Sequence, residues 1–215
     1  MKKLLLVLLV LTAFAANSIL CRIALKNGYS DPETFSVLRL FGGAAILFFW
    51  HIARGKLKEI RWKIIDALLL CAYVLFFSIA YVQLNTATGA LLLFGAVQIC
   101  MIGWGLIKGE TLSGYKATGI VIAIGGIIML LLPGATAPPL IPALTMVVSG
   151  MAWGAYSVRG KNILSPAGTT AGNFILSLPV IFILSLVRQE PVHTDANGVI
   201  LALLSGGLAS GVAYV

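Results

Sequence analysis

Ala117-Thr-Gly-Ile-Val-Ile-Ala-Ile-Gly-Gly-Ile-Ile-Met-Leu-Leu-Leu132 is the stretch on which the fold turns. It is apolar on every face, with no alternation of apolar and polar residues. A bilayer-spanning strand needs about 10 residues that alternate in this way. A spanning helix needs about 20 residues that are mainly apolar throughout. The stretch, extended back to Tyr115, fits the helix. Seven similar runs flank it: Leu4–Leu25, Thr34–Ile52, Ile64–Leu84, Ala87–Ile107, Leu140–Val158, Thr170–Val187 and Gly198–Val215. The expected fold is therefore an all-α, polytopic membrane helix bundle of about eight transmembrane helices.

The rest of the composition agrees. Of 215 residues, 60% are apolar and 10% charged, with a mean hydropathy of +1.02. Soluble domains carry about 45–50% apolar and about 25% charged residues, so an ordinary soluble enzyme is excluded. Pro32, Pro133, Pro138, Pro139, Pro142, Pro166 and Pro191 fall between runs or at their ends, where a residue lacking an N–H donor does least harm. Pro179 lies inside the seventh run and is expected to kink it. Met1-Lys-Lys followed by Leu4–Leu11 and Ala13-Phe-Ala15 has the layout of a secretory signal peptide. Apolar character nevertheless continues to Leu25, long enough to span, and a retained first helix is expected.

Net charge is +8, and its placement is informative. On a strictly alternating path with the N-terminus inside, eleven basic residues face one side: Lys2, Lys3, Arg54, Lys56, Lys58, Arg61, Lys63, Lys108, Lys116, Arg159 and Lys161. Only Lys26 and Arg188 face the other. Lys and Arg accumulate in short cytoplasmic loops, so the basic charge orients the chain in a cytoplasmic (inner) membrane, N-terminus cytoplasmic. It is not a nucleic-acid surface, because the basic residues do not interleave with aromatics in any binding motif. Cys21, Cys71 and Cys100 lie in apolar runs without metal-ligand spacing, and no catalytic or nucleotide-binding motif stands out. No enzymatic activity, metal or cofactor is expected.

Two segments look duplicated. Ala13–Arg22 can be laid on Gly150–Arg159 at an offset of 137, and Ala80-Tyr81 on Ala213-Tyr214 at an offset of 133. Helices six to eight then form a second copy of helices one to three. One unit has five helices, an odd number, so the second copy enters the membrane in the opposite sense. Residues 1–133 would be a five-helix repeat and residues 134–215 an incomplete second repeat of three helices. Transporters are commonly built from inverted repeats of this kind.

A family resemblance rests on several of these features. They are Pro32 followed by Arg39, the run Ala87-Thr-Gly-Ala-Leu-Leu-Leu-Phe-Gly-Ala-Val97, Gly109-Glu110, and Gly119-Ile-Val-Ile-Ala-Ile-Gly-Gly126. Ala152-Trp-Gly-Ala155 and Ala202–Gly211 complete the set. The sequence resembles the EamA-type permeases of the drug/metabolite transporter superfamily over essentially its whole length. One departure is Gln98, where such proteins often have proline. The resemblance implies a secondary transporter of small organic metabolites, an amino-acid-like exporter being one form, working by alternating access. It also implies ten helices, of which this chain carries eight. A truncated, non-transporting fragment or assembly partner is the alternative. Expected partners are a small-molecule substrate and the lipid bilayer.

Polar groups at membrane depth are functional candidates because lipid makes them costly. Asn17, mid-span in the first run, lines a pathway or bonds another helix. Arg39, about five residues into the second, snorkels to the headgroups, pairs with Glu33 or meets a substrate carboxylate. Tyr73, Phe77 and Tyr81 recur at i, i+4 and i+8 on one helical face. Trp153 and Tyr156 cluster in the sixth run and Gln98 with Trp104 in the fourth; each is a cavity wall or ordinary packing. The expected substrate-binding residues are Asn17, Arg39, Tyr73, Tyr81, Gln98, Trp153 and Tyr156. Arg22 is expected to anchor at the interface, and Glu110 to sit against a helix N-terminus. Gly105/Gly109, Gly150/Gly154 and Gly207/Gly211 have the spacing of close helix-packing seams.

Overall fold

A computed structural model of the chain describes residues 2–131, 137–161, 163–188 and 192–207. These residues form eight α-helices: α1 (Lys2–Lys26), α2 (Pro32–Ala53), α3 (Ile64–Tyr81), α4 (Thr86–Ile107), α5 (Gly114–Leu131), α6 (Leu140–Arg159), α7 (Pro166–Arg188) and α8 (Ala196–Leu204). Six of them, all but α5 and α8, are long and apolar enough to cross a membrane. Each of the eight sequence runs therefore corresponds to one helix, although the eighth run passes beyond residue 207 and outside the described residues.

Local chemistry sets the ends. Asp31 caps α2 by accepting from the Thr34 N–H at 2.8 Å, and Pro32 follows at a position whose N–H would be unpaired in any case. Asn85 caps α4 through Thr88, and Asp195 caps α8 through Gly198, each at 2.8 Å. Pro166 starts α7 four residues before the expected Thr170, since its fixed φ suits a first turn. At the end of α4, Gly109 takes φ +85° and the Glu110 N–H closes on the Gly105 carbonyl at 2.9 Å. This is a left-handed helix stop that favours glycine. Gly105 and Gly109 thus terminate a helix and form no seam between helices.

Of the other two glycine pairs, Gly150/Gly154 forms a seam, and Gly207/Gly211 extends outside the described residues. α6 lies against α4 through Gly150 and Gly154; a Cβ added at Gly150 would meet the Leu93 carbonyl oxygen at 2.5 Å. α3 packs on α6 and α7, α2 on α7 and α8, and α1 on α8. Gly206, just past α8, fits so closely under α2 that a Cβ there would overlap the Arg39 carbonyl.

Connections fall alternately at two ends of the bundle. At one end, residues 29–31 and 193–195 exchange backbone hydrogen bonds, Asp31 N–H to the His193 carbonyl at 2.8 Å and Asp195 N–H to the Tyr29 carbonyl at 2.9 Å. Arg22 is held there as well, its Nη1 donating to the Tyr81 and Val82 carbonyls at 2.7 Å each. It closes the end of α3 where the sequence suggested an interface anchor. At the other end, Lys161 pairs with Glu110 at 3.2 Å and the Ser165 hydroxyl donates to Glu59 at 3.1 Å.

Candidate functional site

Buried polar and aromatic side chains gather in two places. The first lies along α3, where α2 and α6 both pack on it. The face of α3 read from the sequence is a ring ladder, with Tyr73–Phe77 centroids 5.6 Å apart and Phe77–Tyr81 centroids 4.7 Å apart. Trp153 of α6 stacks on Tyr73 at 5.2 Å with the planes 25° apart. Phe14 at 5.3 Å and Phe94 at 5.8 Å enclose the indole from α1 and α4. Neither phenylalanine was singled out in the sequence, where an aromatic in an apolar run carries no distinguishing mark.

Arg39 enters this cluster from α2 and is only 2% exposed. Its guanidinium lies 4.8 Å from the Phe77 ring centroid and 5.3 Å from that of Tyr73. Nη2 donates to the Tyr73 hydroxyl at 2.9 Å. Nη1 is buried without a hydrogen-bond partner among the described residues, and none of their ion pairs includes Arg39. The headgroup and Glu33 alternatives are thereby corrected. Arg39 shares a helical face with Ser36 and Gly43, and that face is turned to the interior: Ser36 donates to the Ser78 hydroxyl at 2.8 Å, and a Cβ on Gly43 would strike Phe174.

Asn17 is 5% exposed and accepts a hydrogen bond from Ser205 at 2.6 Å. Ser205–Gly207 form a π-turn at the end of α8, a local widening that is frequent at functional sites. Consecutive residues of that turn touch Asn17 and the Arg39 backbone. Ser205 lies in the Ala202–Gly211 run that carries the family resemblance, but nothing in the sequence marked its hydroxyl as a partner for Asn17.

The second place is the end of the bundle that carries Lys161 and Glu59. Here Tyr156 stands apart from Trp153, with the Asn173 amide donating to its hydroxyl at 3.4 Å. Tyr156 helps line a cavity of about 170 Å³ together with Asp66, Ser157, Thr169, Thr170 and Asn173. Gln98 joins neither place. It lies exposed in a separate hollow of about 400 Å³ between α4 and α5, near Glu110. The structure thus brings together Asn17, Arg39, Tyr73, Tyr81 and Trp153, and separates Tyr156 and Gln98 from them.

Comparison with known proteins follows the same lines. The model of the EamA-like transporter family matches residues 1–132. The chain is 46% identical to an uncharacterized protein of Pseudomonas aeruginosa, covering 99% of this chain and 75% of that protein. It is 25% identical to an uncharacterized transporter of Archaeoglobus fulgidus, covering 98% and 77%. A crystal structure sharing 18% identity superposes with a TM-score of 0.71 over 97% of this chain and 76% of its own.

Proposed function

The chain belongs to the EamA-like transporter family, and from that premise we propose that it is a secondary transporter whose substrate is a small organic molecule bearing a carboxylate, of amino-acid-like size. The observation that carries this reading is the half-satisfied guanidinium of Arg39 in the middle of a multi-pass membrane protein. Withdrawing a charge from water costs several kcal/mol even after relaxation. Cation–π contact with Tyr73 and Phe77 and one hydroxyl offset part of that cost. A carboxylate arriving at Nη1 would offset the rest. Guanidinium and carboxylate match in shape as well as charge. Tyr73 and Trp153 stack on each other beside that charge and would face an apolar substrate body once alternating access parts them, while Asn17 of α1 and Ser205, just past α8, would contribute hydrogen bonding.

The proposed mechanism is alternating access between inverted copies, residues 1–133 and 134–215. Exchanging α1 with α6, α2 with α7 and α3 with α8 maps the α2–α7 contact onto itself. It also maps α3–α7 onto α8–α2 and α3–α6 onto α8–α1, and all of these contacts are present. The excess of basic residues in the loops at the Lys161 end supports an N-terminus on the cytoplasmic side of an inner membrane.

Counterflow of labelled amino acids and other small carboxylates, measured with the protein in proteoliposomes, tests the proposal. Uptake should require a free carboxylate, with the matching amides inert. Arg39→Gln should lower apparent affinity by about tenfold or more, the equivalent of a charge-assisted hydrogen bond of about 1.5–3 kcal/mol. Because the substitution removes a buried charge, the folded protein should be no less stable than the parent. Equal transport of amides and acids would overturn the reading.

A further inference from the structure

The cavity at the Lys161 end has a chemistry unlike the central cluster. Its 170 Å³ equals about half a dozen water volumes and lies below the range of organic-ligand pockets. Its polar lining is the Asp66 carboxylate, the Asn173 amide and the hydroxyls of Thr169, Thr170, Tyr156 and Ser157, set among the apolar surfaces of Ile163 and Pro166. Two of these groups have capacity to spare. Asn173 is 1% exposed and Thr169 3%, and neither Asn173 Oδ1 nor Thr169 Oγ1 has a hydrogen-bond partner among the described residues. The Asn173 Nδ2 is committed to Tyr156, which leaves the amide oxygen as the spare group.

The charges around the cavity are mostly basic: Lys56, Lys58, Arg61 and Lys63, with Glu59, line an adjoining hollow that shares Thr169 and Ile163 with it. Asp66, on the first turn of α3 and 2% exposed, pairs with Arg159 at the end of α6. The Arg159 side chain is 43% exposed and has water to turn into. Lys161, farther along, is occupied with Glu110. The Asp66 carboxylate and Asn173 Oδ1 can only accept, and the Thr169 hydroxyl can turn its oxygen beside them, so the three oxygens together offer a cation a site. Oxygen ligands without imidazole or thiolate select a hard one, and a single carboxylate suits a single positive charge.

We infer that this cavity binds an alkali-metal cation, which takes Asp66 from Arg159 and is held by Asn173 and Thr169. Release of Arg159 unfastens α3 from α6 at this end of the bundle. The site therefore converts ion binding into loss of one contact between the two copies. A bare proton would satisfy Asp66 but would leave Asn173 Oδ1 and Thr169 Oγ1 as they are.

The test is the melting temperature of the purified full chain in detergent as NaCl or KCl replaces choline chloride at constant ionic strength and pH. Either salt, or both, should raise Tm saturably, and the two arms identify the ion. Thr169→Val keeps the shape and loses one oxygen. It should melt like the parent in choline and need several-fold more salt to reach half the shift. Arg159→Gln removes the competitor and should need several-fold less. The inference is overturned if neither salt acts beyond choline, or if Thr169→Val leaves the half-point unchanged. It is equally overturned if acidification in choline reproduces the whole shift, since the ligand would then be a proton. None of these outcomes bears on whether Arg39 reads a carboxylate.

Discussion

Among the described residues, Tyr73 holds the one side-chain oxygen that receives a hydrogen bond from Arg39. Tyr73→Phe should therefore destabilise the protein by about 1–3 kcal/mol, the penalty for a buried donor left without an acceptor. Placing Arg39→Gln in the same chain should return most of that loss, and a denaturation cycle over the four proteins measures the coupling. The helical face of Arg39 was hidden in the sequence for a simple reason. Residue spacing within an apolar run reports depth in the membrane, but every face of such a run is apolar, so azimuth is left open. Trp153 and Tyr156 show the same gap from the other side. Three residues apart on one helix, they line different places, because α3 presents rings at one level and Asp66 at the next. Outside the membrane, Lys56 at 2.9 Å and the Ser165 hydroxyl hold the Glu59 carboxyl below its usual range. A carboxyl lowered in this way stabilises the fold at neutral pH, and the contribution fades as pH drops through the lowered value. Glu59→Gln should accordingly melt below the parent at neutral pH and level with it in acid.

Among the elements, α6 has no room to spare against α4. Gly150→Ala would drive a methyl group into the Leu93 carbonyl, and α6 must move off α4. A loss of about 1–3 kcal/mol is expected from such overpacking. Gly103→Ala, on the same α4 but with nothing within 4 Å of the added carbon, should stabilise by up to about 1 kcal/mol through helix propensity. Thermal melts of the two variants separate a seam from an idle glycine. All eight helices were legible, since lipid forces every spanning segment to hide its backbone and to show apolar side chains all round. Gly150/Gly154 and Gly105/Gly109 share one spacing yet do different jobs. What separates them is position: Gly109 precedes Glu110 at the end of an apolar run, where a stop is needed. The π-turn at Ser205 left no mark of that kind.

On the scale of the whole molecule, cysteines substituted for Lys58 and Val192 in a background free of Cys21, Cys71 and Cys100 should label from opposite sides of the membrane. Labelling from one side would remove the alternating path that the charge bias suggests. The clasp between residues 29–31 and 193–195 has a mechanical consequence. It ties the start of α2 to the segment that follows α7. Beyond the far end of α2, the Glu59 and Arg61 carbonyls lie against Gly168 and Gly172 of α7, with no space for a side chain between. Fastened near both ends, α2 and α7 would serve the proposed alternating access as a fulcrum, with the slab of α3, α4 and α6 beside them as the lever. That slab takes helices from residues 1–133 and from 134–215, so on the proposed mechanism the swinging part would not coincide with either proposed repeat. A disulfide joining Ser30→Cys to Thr194→Cys would merely stiffen the fulcrum, and the oxidised protein should transport at the rate of the reduced one.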